Sequence, residues 1–407
     1  MRSRGATVVV GAGVAGVTYA DALRAAGDDV ELVLIDAEAG MPYDRPPLSK
    51  ALLDPGTVPE RPLLREPGHY RDKRVELLTG RAVVAVDTAR RTVTLADGEQ
   101  VRWGRLVLAT GRAARVPDVP GVELDGVVRL RSFDDALALR ARLDRCAHVA
   151  IVGAGFVGAE VATAARARGL QVTVVEQAAA PLARLLPAEL GARLAGLYEE
   201  AGARLITGRA VVALDGAGDV ERVRLDDGGS IDADLVLLAV GTTPLAPPID
   251  GVALAGPGVA VDASLRHEAA GVRAIGDVAV RRSAEHGAVV VEQWTAAVEQ
   301  ARHLAAAGDA AAPFAKAPYA WSQQFGRMVQ LAGELHDAEA VVRFADGERM
   351  LAIGARGGTI AGAFAVDLPR HAIRARQLIE RRAPWDEAVR ELADAGEVDA
   401  PFAAAST

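Results

Sequence analysis

The chemistry legible in this chain sits in two glycine clusters, a few carboxylates and one lysine. The stretches 7–20 (TVVVGAGVAGVTYA) and 148–162 (HVAIVGAGFVGAEVA) each pass from a short Val/Ile run through G-x-G-x-x-G into an Ala-rich amphipathic segment. In such a motif the first glycine, Gly11, permits a tight turn. The second, Gly13, lets backbone approach a pyrophosphate, and the third, Gly16, lets helix and strand pack closely. The helix that follows offers free N–H groups and a partial positive charge to phosphate. Each copy continues into a second apolar run ending in an acid, Asp36 or Glu176, roughly two dozen residues after its first glycine. An acid placed there accepts hydrogen bonds from ribose hydroxyls. Lys50 follows Pro46 and Pro47, whose fixed φ stiffens a loop. That suits either a held ammonium or a plain solvated lysine. Glu160 lies two residues past Gly158, where the helix dipole alone would also favour a carboxylate. Asp277 ends VRAIGD and reads as a ligand-facing acid or as an N-cap. Trp294 and Trp321 read as site or core tryptophans.

The elements that must position these residues follow from periodicity. Both glycine clusters read as β-α-β units, one fold written twice. Segments 102–110, 233–240 and 272–275 read as buried strands closing on Gly111, Gly241 and Gly276. Strand ends of that kind are where an open α/β sheet places ligands. Between them, 83–86, 92–95 and 220–225 read as antiparallel strands, with Asp97-Gly98 and Asp227-Gly228 as turns. A helix is expected over 293–304. Beyond the Ala/Gly-rich stretch 305–312, strands at 328–332 and 341–344 and a helix at 367–382 predict a small C-terminal domain, with a loose end at 403–407.

Composition narrows the function classes. With 407 residues, 50% apolar and 25% charged, the chain is ordinary globular material of two or three domains. Its net charge of −8 argues against general nucleic-acid binding. The one cysteine, Cys146, allows no internal disulfide or CxxC pair and reads as a structural thiol in a reducing compartment. His69, His286 and His371 show no metal spacing. Met1-Arg2-Ser3-Arg4 leads into an apolar strand without a signal-peptide pattern, and no run is long enough for a membrane span, so a cytoplasmic protein is expected.

With these motifs assembled, the chain resembles the FAD-dependent ferredoxin and rubredoxin reductases that serve oxygenase systems. The resemblance rests on Gly11–Gly16, on the string Arg45-Pro46-Pro47-Leu48-Ser49-Lys50, and on Ala109-Thr110-Gly111. Gly153–Gly158 with Glu160, Ala274-Ile275-Gly276-Asp277, Glu292-x-Trp294 and Trp321-Ser322 complete it. It covers nearly the whole chain. One stretch departs: the family usually has a Thr shortly before Gly-Asp, where this chain has Arg266-His267-Glu268-Ala269-Ala270-Gly271, so no flavin role passes to His267.

The fold implied is α/β, with two Rossmann-like dinucleotide-binding domains, glutathione-reductase-like, and a small α+β C-terminal domain. The FAD domain would be split over 1–111 and 238–308, the NAD domain would occupy 112–237, and 309–407 would form an interface domain. By the same resemblance, cofactor contacts fall on Gly11, Gly13, Ala15, Gly16, Asp36, Arg45, Lys50, Val83, Ala109, Thr110 and Gly111. They continue through Gly153, Gly155, Phe156, Val157, Gly158, Glu160, Glu176, Gly241, Gly276, Asp277, Glu292, Trp294 and Trp321. The first cluster would hold FAD and the second NADH. Lys50, paired with Glu160, would sit by the reactive flavin edge, Glu160 would help orient the nicotinamide, and a helix N-terminus after Asp277 would face the flavin.

NADH is expected over NADPH, because Glu176 would repel a 2′-phosphate and Gln177, Ala178 and Ala179 supply no arginine. The implied reaction passes electrons from NADH through FAD to a ferredoxin or rubredoxin. Arg281, Arg282, Arg302 and Lys316 are nominated as a basic patch for that carrier. A monomer or homodimer is expected. A disulfide reductase would need a redox cysteine pair that this chain lacks. Direct reduction of a quinone or monodehydroascorbate, and a redox sensor like apoptosis-inducing factor, stay open as alternatives.

Overall fold

The computed structural model describes residues 5–250, 258–283, 287–289, 291–308, 310, 312–346 and 348–394; side chains of 282–283, 287–289, 340 and 342–346 are not described. The expectations for His286, for the Arg282 side chain and for 403–407 lie outside the described residues. The chain forms two compact units.

The first unit gathers the chain up to Asp44, Arg61–Ala113 and Thr242–Lys316. Its parallel sheet runs Val272–Ala274, Arg105–Leu108, Thr7–Val10, Leu32–Ile35, Val75–Leu78. The three inner strands are almost wholly buried and read VVV, LVLI and LVL, because helices and loops cover both faces of such a sheet. Helix Val14–Ala25 packs on helix Trp294–Ala307. The unit also holds a small antiparallel sheet, Val83–Asp87, Thr92–Leu95 and Gln100–Arg102, and a mixed one of Val259–Val261, Ala279–Ser283 and Gly287–Val289.

The second unit gathers Arg45–Glu60, Ala114–Gly241 and the chain from Ala317 on. It repeats the plan: a parallel sheet ordered Arg204–Thr207, Gln171–Glu176, His148–Val152, Leu235–Leu238, Val127–Val128, and an antiparallel one of Val211–Asp215, Arg222–Leu225 and Ser230–Asp232. The duplication runs further than the glycine clusters. Leu77-Leu78-Thr79-Gly80-Arg81-Ala82-Val83 matches Leu205-Ile206-Thr207-Gly208-Arg209-Ala210-Val211, and both copies carry a bulge just afterwards, at Val83/Ala85 and Val211/Ala213. The C-terminal part adds an antiparallel sheet ordered Tyr319–Gln324, Arg327–Gly333, Thr359–Val366, Arg349–Arg356, Ala340–Asp346, with helices Pro369–Glu380 and Trp385–Ala393.

Three features differ from the pattern the sequence predicts. The run 102–110 is not one strand. Trp103 is buried, Gly104 donates its N–H to the Ala6 carbonyl at 2.7 Å, and the chain turns there from the antiparallel sheet into the parallel one. Among the described residues no α-helix starts directly at Asp277. Gly276–Val278 forms a single 3₁₀ turn that enters strand Ala279–Ser283, and the helix starts only at Trp294. β-branched Val280 favours that extension. Finally, Arg45–Glu60 groups with the second unit. Leu53 is buried in the core of that unit with Leu139 and Leu143. Arg140, on helix Phe133–Leu143, donates to the carbonyls of Leu52, Asp54, Pro55 and Thr57 at 2.6–3.2 Å. That helix is itself fixed by a Ser132–Asp135 capping box.

Candidate functional site

In the first unit the glycine cluster is required by geometry. Gly11 has φ +105°, and a Cβ there would lie 2.3 Å from the Ala109 carbonyl oxygen. A Cβ on Gly16 would lie 2.0 Å from the Gly11 oxygen, whereas one on Gly13 would meet nothing within 4 Å. Gly13 is the N-cap of helix Val14–Ala25, which has no side-chain cap and no acid in its first turn. Its first amides therefore have only an open side to face, the condition for binding an anion. Asp36 is held rigidly: one carboxylate oxygen accepts the Ala12 N–H at 2.5 Å and the other accepts the Glu38 N–H at 2.8 Å.

Around this cradle stand other nominated residues. Ala15 is buried, and a Cβ on Gly276 would come within 3.1 Å of it. Val83 opens the small antiparallel sheet opposite Leu95. Ala109 donates to the Val10 carbonyl, so Thr110 and Gly111 leave the strand directly. The Thr110 hydroxyl is buried with no hydrogen-bond partner among the described residues. Asp277 is half-buried in its turn. Trp294 is no core residue: it is 40% exposed and its indole N–H donates to Asp44 at 2.8 Å. Arg112, given no role from sequence, is buried and ties the region together. It donates to the Thr242 hydroxyl and carbonyl, reaches the Asp277 carbonyl at 3.4 Å and pairs with Glu292 at 3.2 Å. His267 has a local task, its Nδ1 accepting the Ala269 N–H at 3.0 Å.

The second unit repeats the cradle. Gly153 has φ +107° with Ala239 O 2.4 Å from its would-be Cβ; Gly158 packs on the Gly153 oxygen; Gly155 faces open space. Glu176 accepts the Ala154 and Ala178 N–H groups, both at 2.8 Å. Gly241 has φ +91° and nothing within 4 Å of a would-be Cβ. Phe156 is half-buried and Val157 exposed on the first turn of helix Phe156–Ala167.

The same helix carries Glu160, which is buried. Lys50 Nζ lies 2.8 Å from its Oε1, and Ser322 Oγ donates to that oxygen at 2.6 Å. Ser49 Oγ donates to Oε2. The two prolines set this up, since Pro46–Ser49 is a 3₁₀ turn that delivers Ser49 and Lys50 on one side. Lys50 Nζ also approaches the Pro46 carbonyl at 3.3 Å and stands 5.2 Å from the Trp321 ring centre. Arg45 anchors the start of the loop on the Arg131 carbonyl. Sequence reasoning found Lys50, Glu160 and Trp321 but gave Ser49, Ser322 and Arg140 no role, although both serines stand inside quoted motifs. A hydroxyl one residue from a nominated group was the available signal.

Burial, with Asp234 nearby, pushes the Cys146 thiol above its usual range. Among the described residues no group of His, Cys, Asp and Glu is placed to hold a metal ion, and no helix is long and apolar enough to cross a membrane.

Comparison with known proteins agrees with this geometry. A family model described as pyridine nucleotide-disulphide oxidoreductase matches residues 5–301, and one described as reductase C-terminal matches residues 319–397. The ferredoxin–NAD(+) reductase subunit of the benzene 1,2-dioxygenase system of Pseudomonas putida is 37% identical over 382 residues, covering 91% of this chain and 92% of that one. The ferredoxin reductase of the CYP199A2 system of Rhodopseudomonas palustris has a solved structure that matches with a TM-score of 0.85 at 31% identity, over 95% of this chain and 99% of that one. Putidaredoxin reductase, solved in a covalent complex with putidaredoxin, matches with a TM-score of 0.88 at 28% identity over 97% of this chain and 99% of that one. Two glycine-lined cradles, a Lys–Glu pair with the glutamate buried and a matched C-terminal domain place this chain in the pyridine nucleotide-disulphide oxidoreductase family, among its ferredoxin–NAD(+) reductases.

Proposed function

We propose that this enzyme carries electrons from NADH through FAD to a one-electron protein carrier, a [2Fe–2S] ferredoxin or a rubredoxin. The observation that carries this reading is the asymmetry of the two cradles: one only binds, and the other has Glu160 and its lysine behind it. FAD fits the first cradle. Gly13 leaves room, Asp36 is preset by two amides for ribose hydroxyls, and the orphan Thr110 hydroxyl lacks only a ligand partner. Bound FAD supplies the conversion of a hydride taken from NADH into electrons released singly.

The residues of the chain then bind, orient and stabilise. Asp36 holds the adenosine ribose of one nucleotide and Glu176 that of the other. Lys50, fixed in place by Glu160, would supply a cation for the hydride-transfer step. Orientation of the two nucleotides is the main catalytic contribution, and no general acid or base is needed. Arg112 acts from within, bracing the Asp277 turn. For the carrier, Arg302 and Lys316 are exposed, whereas Arg281 turns its guanidinium to the Phe314 carbonyl and ring. Charge reversal at Arg302 should therefore weaken the salt dependence of carrier reduction more than reversal at Arg281.

Glu176 also sets the nucleotide choice. Arg209, on the neighbouring strand end, is paired with Asp227 at 2.7 Å. A 2′-phosphate would meet the carboxylate first, so NADH should exceed NADPH by roughly 100-fold in kcat/KM, about 2.7 kcal/mol. The deciding experiment is anaerobic mixing of the yellow protein with NADH or NADPH, then with a ferredoxin or rubredoxin. Bleaching by NADH and rapid return of colour with a carrier support the reading. A colourless protein, or NADH oxidation that no carrier accelerates, overturns it; a rate that saturates with a quinone instead points to direct small-molecule reduction.

A further inference from the structure

The Glu160 carboxylate gathers donors from separate stretches of the chain. Ser49 and Lys50 arrive from the loop after the prolines, and Ser322 arrives from the first strand of the C-terminal sheet. Ser322 is fully buried. Along Tyr319–Gln324 the side chains alternate, with Ala320, Ser322 and Gln324 turned inward. A buried hydroxyl costs stability unless it has an acceptor, so alanine would be the cheaper residue there if packing were its only task. Its acceptor is the same oxygen, Oε1, that receives Lys50. The next residue towards the N-terminus, Trp321, places its ring 5.2 Å from Lys50 Nζ. The strand therefore reaches the ion pair twice.

We propose that Ser322 is a positioning residue for hydride transfer: by holding Oε1 of Glu160 it gives the Lys50 ammonium a single seat, and it makes the C-terminal sheet part of the reductive half-reaction. The inference rests on the reading that the Lys50–Glu160 pair serves that step. Strand and helix have other ties, which lets the serine be removed without dismantling the fold. Phe325 N–H donates to Thr163 Oγ1 at 2.9 Å, one turn along the Glu160 helix, and the Phe325 ring packs edge-on to Tyr198.

The test compares Lys50→Gln, Glu160→Gln, Ser322→Ala, Ser322→Thr and the Ser322→Ala/Glu160→Gln double variant, each loaded with FAD. Stopped-flow flavin reduction by NADH gives the limiting rate and the apparent Kd, and dye equilibration gives the flavin midpoint potential. Ser322→Ala should lower the limiting rate about fivefold with the NADH Kd within about twofold, the loss of one hydrogen bond to a charged group. It should move the flavin potential in the same negative direction as Lys50→Gln. Threonine should restore both, and the alanine change should add nothing once Glu160 is glutamine. If Lys50→Gln slows reduction while Ser322→Ala keeps the wild-type rate and potential, the serine only packs and the inference fails. It fails equally if the alanine effect persists undiminished in the Glu160→Gln background. Wild-type rates and potentials in both Lys50→Gln and Glu160→Gln remove the underlying reading, and this inference with it. Should the alanine variant come out unfolded, Ser322→Cys, nearly isosteric with a weaker donor, must give an intermediate loss.

Discussion

The two cradles share their backbone devices and differ in what hangs from the helix behind the glycines. Each has a first glycine in the left-handed region against a carbonyl, a third glycine against the first, an open second glycine and an acid that binds the amide after the first glycine. At the position two beyond the third glycine, however, one helix carries Thr18 and the other Glu160. Just past the strand beside the central one, Arg105–Leu108 or Leu235–Leu238, one has Thr110, whose hydroxyl has no partner among the described residues, and the other has Val240. At the entry to that strand, one has Gly104 and the other Asp234. The lesson is that duplication preserves the steric requirements of a pyrophosphate, while chemistry is added at side chains the requirement leaves free.

The severest way to break the comparison is to spoil one cradle at a time. Gly11→Ala puts a methyl group 2.3 Å from a carbonyl oxygen at φ +105°, and should yield protein with almost no bound flavin, read from the visible absorbance per chain. Gly153→Ala meets the same clash at 2.4 Å in the other unit; it should keep the flavin and lose NADH reduction. Equal flavin loss in both would mean the cradles are not independent.

Glu160→Thr gives the second helix the residue of the first. Flavin content should hold while NADH-driven reduction slows by roughly 10- to 100-fold, since the Lys50 charge loses its anchor. Rates within a factor of two of wild type would confine Glu160 to a structural role.

Thr110→Val exchanges the orphan hydroxyl for a methyl group of similar shape. The FAD-free protein should melt at the same temperature or slightly higher, while FAD affinity falls by roughly 1 kcal/mol, about fivefold, in a fluorescence titration. Unchanged affinity would show that Thr110 is not part of the cradle.

The smallest effect concerns acid. His148 and Ala147 donate backbone N–H groups to Asp234 at 2.9 and 2.8 Å and hold its carboxyl below the usual carboxylate range. A depressed carboxyl contributes stability above its unfolded value of about 3.9 and loses it as the pH falls through the lower, folded value. Asp234→Ala should therefore cost about 0.5–1 kcal/mol at pH 7, screened by its exposure, and nothing in strong acid. Gly104 uses a backbone bond to Ala6 at the matching place, so Gly104→Ala should show no such pH dependence in chemical denaturation.

Much of this was legible in the residues. The inner parallel strands are Val/Ile/Leu-rich runs, the glycine spacing dictates the turns, and Asp36 directly follows its strand while Glu176 ends its own, where the motif requires. These are local matters of period and backbone sterics. Less legible were the breaks at Trp103-Gly104 and after Asp277, where a buried indole and β-branched Val280 overrode a simple pattern.

The sequence by itself determined that the glycine cradle is written twice, because φ > 0, close backbone approach and strand-end acids are carried by short strings; the pairing of Lys50 with Glu160 was implied only by the family resemblance. Only the tertiary structure decided which hydroxyls meet that carboxylate, that Arg140 holds the Lys50 loop, and that Arg112 braces Asp277. Those partners lie between 80 and 170 residues apart. Hydrogen bonds over such separations depend on how sheets and helices pack, and no periodicity along the chain encodes them.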